Sequence, residues 1–332
     1  MMRLSGVLMS AIGIVCLIAG VSSHAVAQEN LLTTKLEPKA KRRIGIISAG
    51  WRVGLEGQNF SNEKEQARTA GLGLRGDIRY GLLPSLEMRA EAGVSLQSGY
   101  AQSRFGDNTP RSGLDLREAL VQWKPVSRVT LQAGAINQSH VEAPLLVAGQ
   151  PFPGVTERLL LGTKQFNVEL KAEQAVPTST QLSAKTVEAE TTPTFMTEML
   201  TARAKVTNRV TLSAHGLHYA FRSLPTTVAA ASELFGNTVT PLTGKTSAFT
   251  YEFDGYGYGG GVNVLMSRTL SWNLDGQILQ NTKAPASYGA GQILTSGFTI
   301  GLPGDVDLKP QAEMFYAESD VAPAFYNGSD RG

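Results

Sequence analysis

An all-β chain, built as one antiparallel up-and-down sheet, follows from three observations on the sequence. Apolar and polar residues alternate over segments of ten or more positions; tight polar turns recur just before such segments; and longer stretches rich in Pro, Thr, Ser, Gly and Ala separate the resulting pairs. The composition agrees. Of 332 residues 17% are charged and 35 are glycine, against roughly 25% charge and ~7% glycine in soluble domains. Lys+Arg total 30 and Asp+Glu 28, so no polybasic footprint points to nucleic acid. A single cysteine excludes a disulfide framework and a thiolate metal cluster. No apolar run after about residue 30 nears the roughly 18 positions that a spanning helix needs.

Residues 1–27 read as a signal peptide. Arg3 supplies the positive start, Val7 to Val21 is apolar apart from Ser10, Gly13 and Gly20, and Ala25-Val26-Ala27 is a small-x-small cleavage site before Gln28. Cys16 falls inside that region, so the mature chain is expected to hold no thiol. Residues 28–42 form an N-terminal segment ending in Lys39, Lys41 and Arg42, with Arg43 next. They read as a solvated tether on the periplasmic side, within reach of lipid phosphates. The sheet domain spans 43–332.

Within it a first strand is expected over 43–57 and a second over 67–81. The third is the clearest. Leu86, Met88, Ala90, Ala92, Val94 and Leu96 alternate with Glu87, Arg89, Glu91, Gly93, Ser95 and Gln97, a period of two that only a strand satisfies. Pairing 67–80 with 86–100 so that opposed numbers sum to 166 sets Arg79 against Glu87, Asp77 against Arg89 and Arg75 against Glu91. Cross-strand pairs of this kind are each worth roughly 0.2–1 kcal/mol. Further alternation runs from Phe166 to Glu173, Leu270 to Ile278 and Val306 to Met314. The segment 155–162 is weakly patterned, with Leu159-Leu160-Leu161 in a row.

Six short turns precede outgoing strands, around Pro84-Ser85, Ser127-Arg128, Lys164-Gln165, Asn208-Arg209, Ser267-Arg268 and Gly304-Asp305. The longer segments 102–112, 139–156, 176–193 and 222–245 lie at the opposite end of the sheet. Alternation alone does not say which face is inside. A soluble sandwich or lipocalin-like barrel turns its apolar face inward, and a membrane barrel reverses it. Three features favour the reversed form: charges that complement one another on the polar face, strands long enough for a tilted crossing of ~9–11 residues, and aromatics gathered toward strand ends. Those aromatics are Tyr80, Tyr100, Trp123, Tyr219, Phe221, Phe249, Tyr251, Phe253, Tyr256, Tyr258, Phe315 and Tyr316, read as interfacial girdles. The fold expected is thus a transmembrane antiparallel up-and-down β-barrel.

On these residues, and on Glu118-Ala119-Leu120-Val121-Gln122-Trp123 followed by Pro125 and Val129 to Gly134, the chain resembles Gram-negative outer-membrane porins and porin-like barrels over about residues 43–318. The resemblance is architectural. It implies an outer-membrane location, short periplasmic turns, long outer loops and no catalysis. The family's usual final strand closing on an aromatic is not matched by Asn327-Gly328-Ser329-Asp330-Arg331-Gly332.

Catalytic patterns are weak. His140, His215 and His218 are the histidines after the signal; 215 and 218 point to opposite faces of a strand, and Ser213 lies about 6–7 Å from His215 by strand geometry. Asp305 and Asp307 read as turn carboxylates. The glycines of 255–261 lack the helix that a phosphate loop requires and suggest a bulge or bend. No cofactor or metal is expected.

The function expected is an outer-membrane pore passing small hydrophilic solutes or ions through a charged, water-filled lumen. The alternatives are a non-conducting barrel acting as structural anchor or adhesin, and a soluble secreted all-β binding domain. Lumen-lining positions would be Arg52, Arg75, Asp77, Arg79, Glu87, Arg89, Glu91, Glu118, Glu169, Lys171, Glu173, Arg203, Lys205, Asp275, Asp307, Lys309 and Glu313. With both signs present, ion preference should be weak. The loop 222–245, apolar from Val228 to Phe235, either constricts the pore or stays on the surface. Partners expected are outer-membrane lipid, lipopolysaccharide and small hydrophilic solutes. Thirteen strands are counted, with residues 319–332 opening an outer loop. Single-chain bacterial barrels have even strand numbers, so a returning strand beyond Gly332 is expected, giving fourteen or a larger even number.

Overall fold

The computed structural model describes residues 44–61, 66–103, 106–107, 113–177, 191–233, 235–240, 247–302 and 306–327. The expected signal peptide, the segment 28–42, Cys16, Asp305 and the centre of the loop 176–193 lie outside these residues.

Thirteen strand positions form one antiparallel sheet in which each strand pairs with its sequence neighbours. They are β1 (Gly45–Ser61), β2 (Gln66–Leu83), β3 (Leu86–Ser103), β4 (Gly113–Val126), β5 (Val129–Asn137), β6 (Pro151–Gly162) and β7 (Phe166–Ala175). Then come β8 (Thr194–Lys205), β9 (Val210–Arg222), β10 (Phe253–Leu265), β11 (Leu270–Asn281) and β12 (Ala290–Leu302). The last, β13, comprises Val306–Leu308 and Gln311–Ala317, both laid against β12. Ile300 faces Leu308 and Gly297 faces Gln311, one unbroken register, so Pro310 interrupts the hydrogen bonds without turning the strand. The connectivity is that of an up-and-down barrel wall. Among the described residues no ladder joins β1 to β13. Five of the six short turns stand where the sequence put them, and the sixth, Gly304-Asp305, lies outside the described residues.

Contacts divide the chain into two compact units. In the one containing 53–74 and 94–114, strands meet closely: a Cβ on Gly99, whose φ is +124°, would lie 2.7 Å from the Thr69 Cα. Position 99 thus sits against 69, where the sum-166 register expected 67. Strand β2 also continues beyond the expected 81, through Leu83, leaving only Pro84 and Ser85 to connect. The shift is even, so each of these residues keeps its expected face.

The other unit holds 44–52, 75–93 and everything from 115 onward. Two elements begin earlier or run straighter than expected. Strand β6 starts at Pro151, inside the expected loop 139–156. Strand β10 carries no bulge at its glycines: it keeps one register against β9 from Val264 to Phe253 and against β11 from Leu265 to Gly255. The glycines instead make room. Cβ atoms at Gly259 and Gly261 would fall on the His215 ring and the Asp275 carboxylate, at 2.7 and 2.2 Å.

The sheet is inside out by soluble standards. Leu74, Met88, Leu96, Leu170, Leu200, Leu212, Ile278 and Leu294 stand exposed, at 41–55%. Charged residues on the alternate face are half-covered, as with Glu87 and Arg89 at 20% and 22% of their side chains. A core does exist, and it lies on that covered face. Phe152, Ala175, Phe195, Met199, Leu217, Tyr219, Phe221, Phe253, Leu279 and Ile293, from seven successive strands β6–β12, are buried beneath three inward-folded segments. One is 138–150, with Leu145 and Leu146. Another comprises the described residues of 224–249, including the helix α1 (Thr226–Glu233), which buries Val228, Ala229 and Ser232. The third is 318–327, with Val321, Ala322 and the short helix α2 (Ala324–Asn327).

Candidate functional site

The covered face changes character along the strands. Near the short turns it is polar. Arg89 pairs with Glu87 at 2.7 Å, and the Gln122 amide donates to the same carboxylate at 2.8 Å while accepting from Gln132 at 3.0 Å. Arg52 bridges Asp77 and Glu91 at 4.0 and 3.9 Å. Arg75 is half-buried on this face, Arg79 is exposed, and Glu118 is half-buried two residues before Leu120.

A second polar group spans β6, β7 and β8. Register places Arg158 beside Lys171, Thr156 beside Glu173 and Asn167 beside Arg203. Three cations meet the Glu169 carboxylate: Arg158 at 2.7 Å, Arg203 at 3.4 Å and Lys171 at 3.9 Å. Glu142, from the inward segment, takes the other side of Arg203 at 3.3 Å. The segment enters through a one-turn 3-10 helix, Gln138–Val141. Asn137 caps it by accepting from the Ser139 N–H at 3.0 Å, and Glu142 ends it in a left-handed conformation. Gln138 donates to Glu173 at 2.7 Å, His140 meets the same carboxylate at 2.5 Å, and Lys171 donates to the His140 carbonyl at 2.8 Å. Sequence reasoning found Glu169, Lys171, Glu173 and Arg203. It missed Arg158, Gln138, His140 and Glu142, which alternation does not mark because three of them lie in a segment of no fixed period.

The remaining expected positions are scattered. Lys205 is exposed at the end of β8, and Asp275 lies over Gly261 beside His215. Glu313 opposes Thr295, Asp307 opposes Gly301, and Lys309 falls in the interruption of β13. His215 contacts Gln277 on the covered face while His218 stands on the opposite face beside Tyr256, as their spacing required. Ser213 donates to the Gly261 carbonyl at 3.4 Å.

Toward the long loops the same face is apolar. Phe195 stacks on Phe221 at 4.5 Å, and Tyr326 lies parallel to Phe221 at 5.7 Å and edge-on to Phe152 at 5.4 Å. Burial pushes the Tyr326 hydroxyl pKa well above the ordinary phenol range. Here two expectations fail. Tyr219, Phe221 and Phe253 are not girdle residues; their odd numbers put them on the covered face, where the inward segments close over them. Residues 318–327 are not an outer loop, because Val321, Ala322 and Tyr326 have an apolar surface to bury and fold inward to do so. The exposed face keeps Tyr80, Trp123, Tyr256, Tyr258 and Tyr316. Of the loop 222–245, α1 lies inward.

No family model matches the sequence, and no curated protein matches it. Among solved structures the chain is similar to the high-pH structure of OprB from Pseudomonas putida, with 12% identity over 82% of this chain and 74% of that chain and a TM-score of 0.49.

Proposed function

We propose that this protein is an outer-membrane channel of the porin type, exported by its signal peptide and passing small hydrophilic solutes or ions without catalysis. The observation that carries the reading is the inverted burial. Large apolar side chains stand exposed along one face while charges fill the half-covered other face. Each exposed leucine would recover roughly 25 cal/mol per Å² on leaving water, and a bilayer is the solvent that accepts a whole sheet of them. In this reading the seventeen positions beginning with Arg52 and ending with Glu313 line the path. Glu169, with Arg158, Lys171 and Arg203, is its most densely charged point. Lipid and lipopolysaccharide surround the apolar face.

One observation favours a second reading, a non-conducting anchor: the core that the three inward segments build over β6–β12. Planar-bilayer recording separates the two. Discrete current steps from inserted, folded protein support the channel; silence from protein shown to be inserted removes it.

A further inference from the structure

Resting on the channel reading, we infer that the segment 318–327 is a latched plug and that this structure is the closed state of the path. The apolar part of the latch is Tyr326, which is fully buried and touches Phe152 and Phe221 on the wall. Its polar part is a set of hydrogen bonds that hold 318–327 to every surface around it. The Asp320 carboxylate, itself fully buried, accepts from the Thr238 N–H at 2.8 Å and the Thr238 hydroxyl at 2.7 Å. The Asn237 side chain donates to the Ser319 and Ala322 carbonyls and accepts from the Ala324 N–H. The wall contributes Tyr219, donating to the Val321 carbonyl at 2.7 Å, and Asn281, donating to the Asp320 carbonyl at 2.8 Å. The segment 138–150 adds the Ala148 N–H on the Tyr326 carbonyl at 2.7 Å.

Such an arrangement is bistable in kind. The side-chain bonds are tertiary, and only the Glu318 and Asp320 N–H groups, on the Ala290 and Tyr288 carbonyls at 2.9 and 2.7 Å, carry the β12–β13 register onward, so 321–327 can leave without unpairing a strand. Among the latch bonds, those that the Asp320 carboxylate accepts are the stronger ones. Losing the Asp320 set therefore shifts a docked–undocked equilibrium by about tenfold or more. When 321–327 leaves, α1 and the segment 138–150 lose their common neighbour, and the covered face of β6–β12 becomes accessible to water.

The test is single-channel recording on the full chain in three forms: unmodified, Asp320→Ala, and Thr238→Cys with Asp320→Cys joined by a short reducible dithiol linker. The mature chain brings no competing thiol. Asp320→Ala should raise the open fraction about tenfold, the linked form should fall below the unmodified protein, and reduction should restore it. Heat-modifiable gel mobility checks that each form is folded. Should Asp320→Ala not fold, Tyr219→Phe, which keeps the ring but removes the bond to the Val321 carbonyl, replaces it as the weakened latch, again with raised open fraction expected. Equal currents in all forms keep the channel and overturn the latch. Silence in all forms overturns both.

Discussion

At the turn end of the covered face, Glu87, Arg89, Gln122 and Gln132 hold one another in a partly covered network with Gln122 buried; at the loop end, Phe195, Phe221 and Tyr326 stack with almost no exposure. Both sets obey the same alternation on the same sheet. What differs is the cover. Where little of the chain lies over the wall, the inward positions hold charges and amides; where Gln138 and His140 enter, they hold charges that those groups meet; and where the three segments come together, they hold rings and branched aliphatics. The face a residue occupies follows from strand period, but its polarity follows from what another part of the chain, far away in sequence, places on top of it.

Substitutions at the two ends should therefore separate widely. Phe221→Ala should cost about 3–5 kcal/mol, the usual loss for a buried ring that leaves a cavity. Urea unfolding in micelles, followed by gel mobility, measures it. A cost under ~1 kcal/mol would mean that the loop end is loosely packed after all. On the exposed face, Leu200→Arg should cost about 2–4 kcal/mol in a bilayer and far less in a water-soluble form, because the penalty lies in the lipid. An equal, small effect in both would remove the membrane reading.

Glycines of β10 sharpen the contrast on a finer scale. Gly255→Ala sets a methyl 2.0 Å from the Gln280 carbonyl oxygen, which is backbone and cannot swing away. It should cost about 1–3 kcal/mol as overpacking. Gly257→Ala meets only ordinary contacts at 3.5 Å and should change the unfolding midpoint little. The smallest effect belongs to the turn end. Arg89→Ala breaks a partly exposed ion pair and should cost within about 1 kcal/mol, with its main readout a shifted reversal potential in a salt gradient. Cysteine placed at each position from Leu86 to Leu96 should react with a water-soluble thiol reagent at odd positions and resist at even ones. The reverse pattern would return the chain to the soluble all-β class.

The wall was legible in the sequence because period two is a local signal. From Leu86 to Leu96 each residue announces its face, and turns such as Ser127-Arg128 announce where the chain reverses. Register was less legible. The exact partner depends on whether Leu82 and Leu83 belong to strand or turn, a matter of two residues that no periodicity resolves. The candidate site was half legible: Glu169, Lys171 and Arg203 sit on strands, whereas His140 and Glu142 arrive from a segment shaped by tertiary packing. Leu145-Leu146-Val147 and Val321-Ala322 were the available hint, apolar runs in stretches otherwise read as loops. The aromatic residues misled for the same reason. Tyr219, Phe221 and Phe253 lie near strand ends, as girdle residues do, but on the other face.

The latch bonds also carry a consequence for the order in which the molecule assembles. Wall ladders join strands adjacent in the chain, but Thr238 meets Asp320 across 82 residues, Tyr219 meets Val321 across 102, and Gln150 meets Tyr326 across 176. Contacts of long sequence separation close late. The three tryptophans, Trp51, Trp123 and Trp272, all stand on wall strands. Their fluorescence should therefore plateau on refolding into lipid before Phe325 gains resistance to chymotrypsin. Simultaneous arrival of the two signals would show that wall and interior are made in one step.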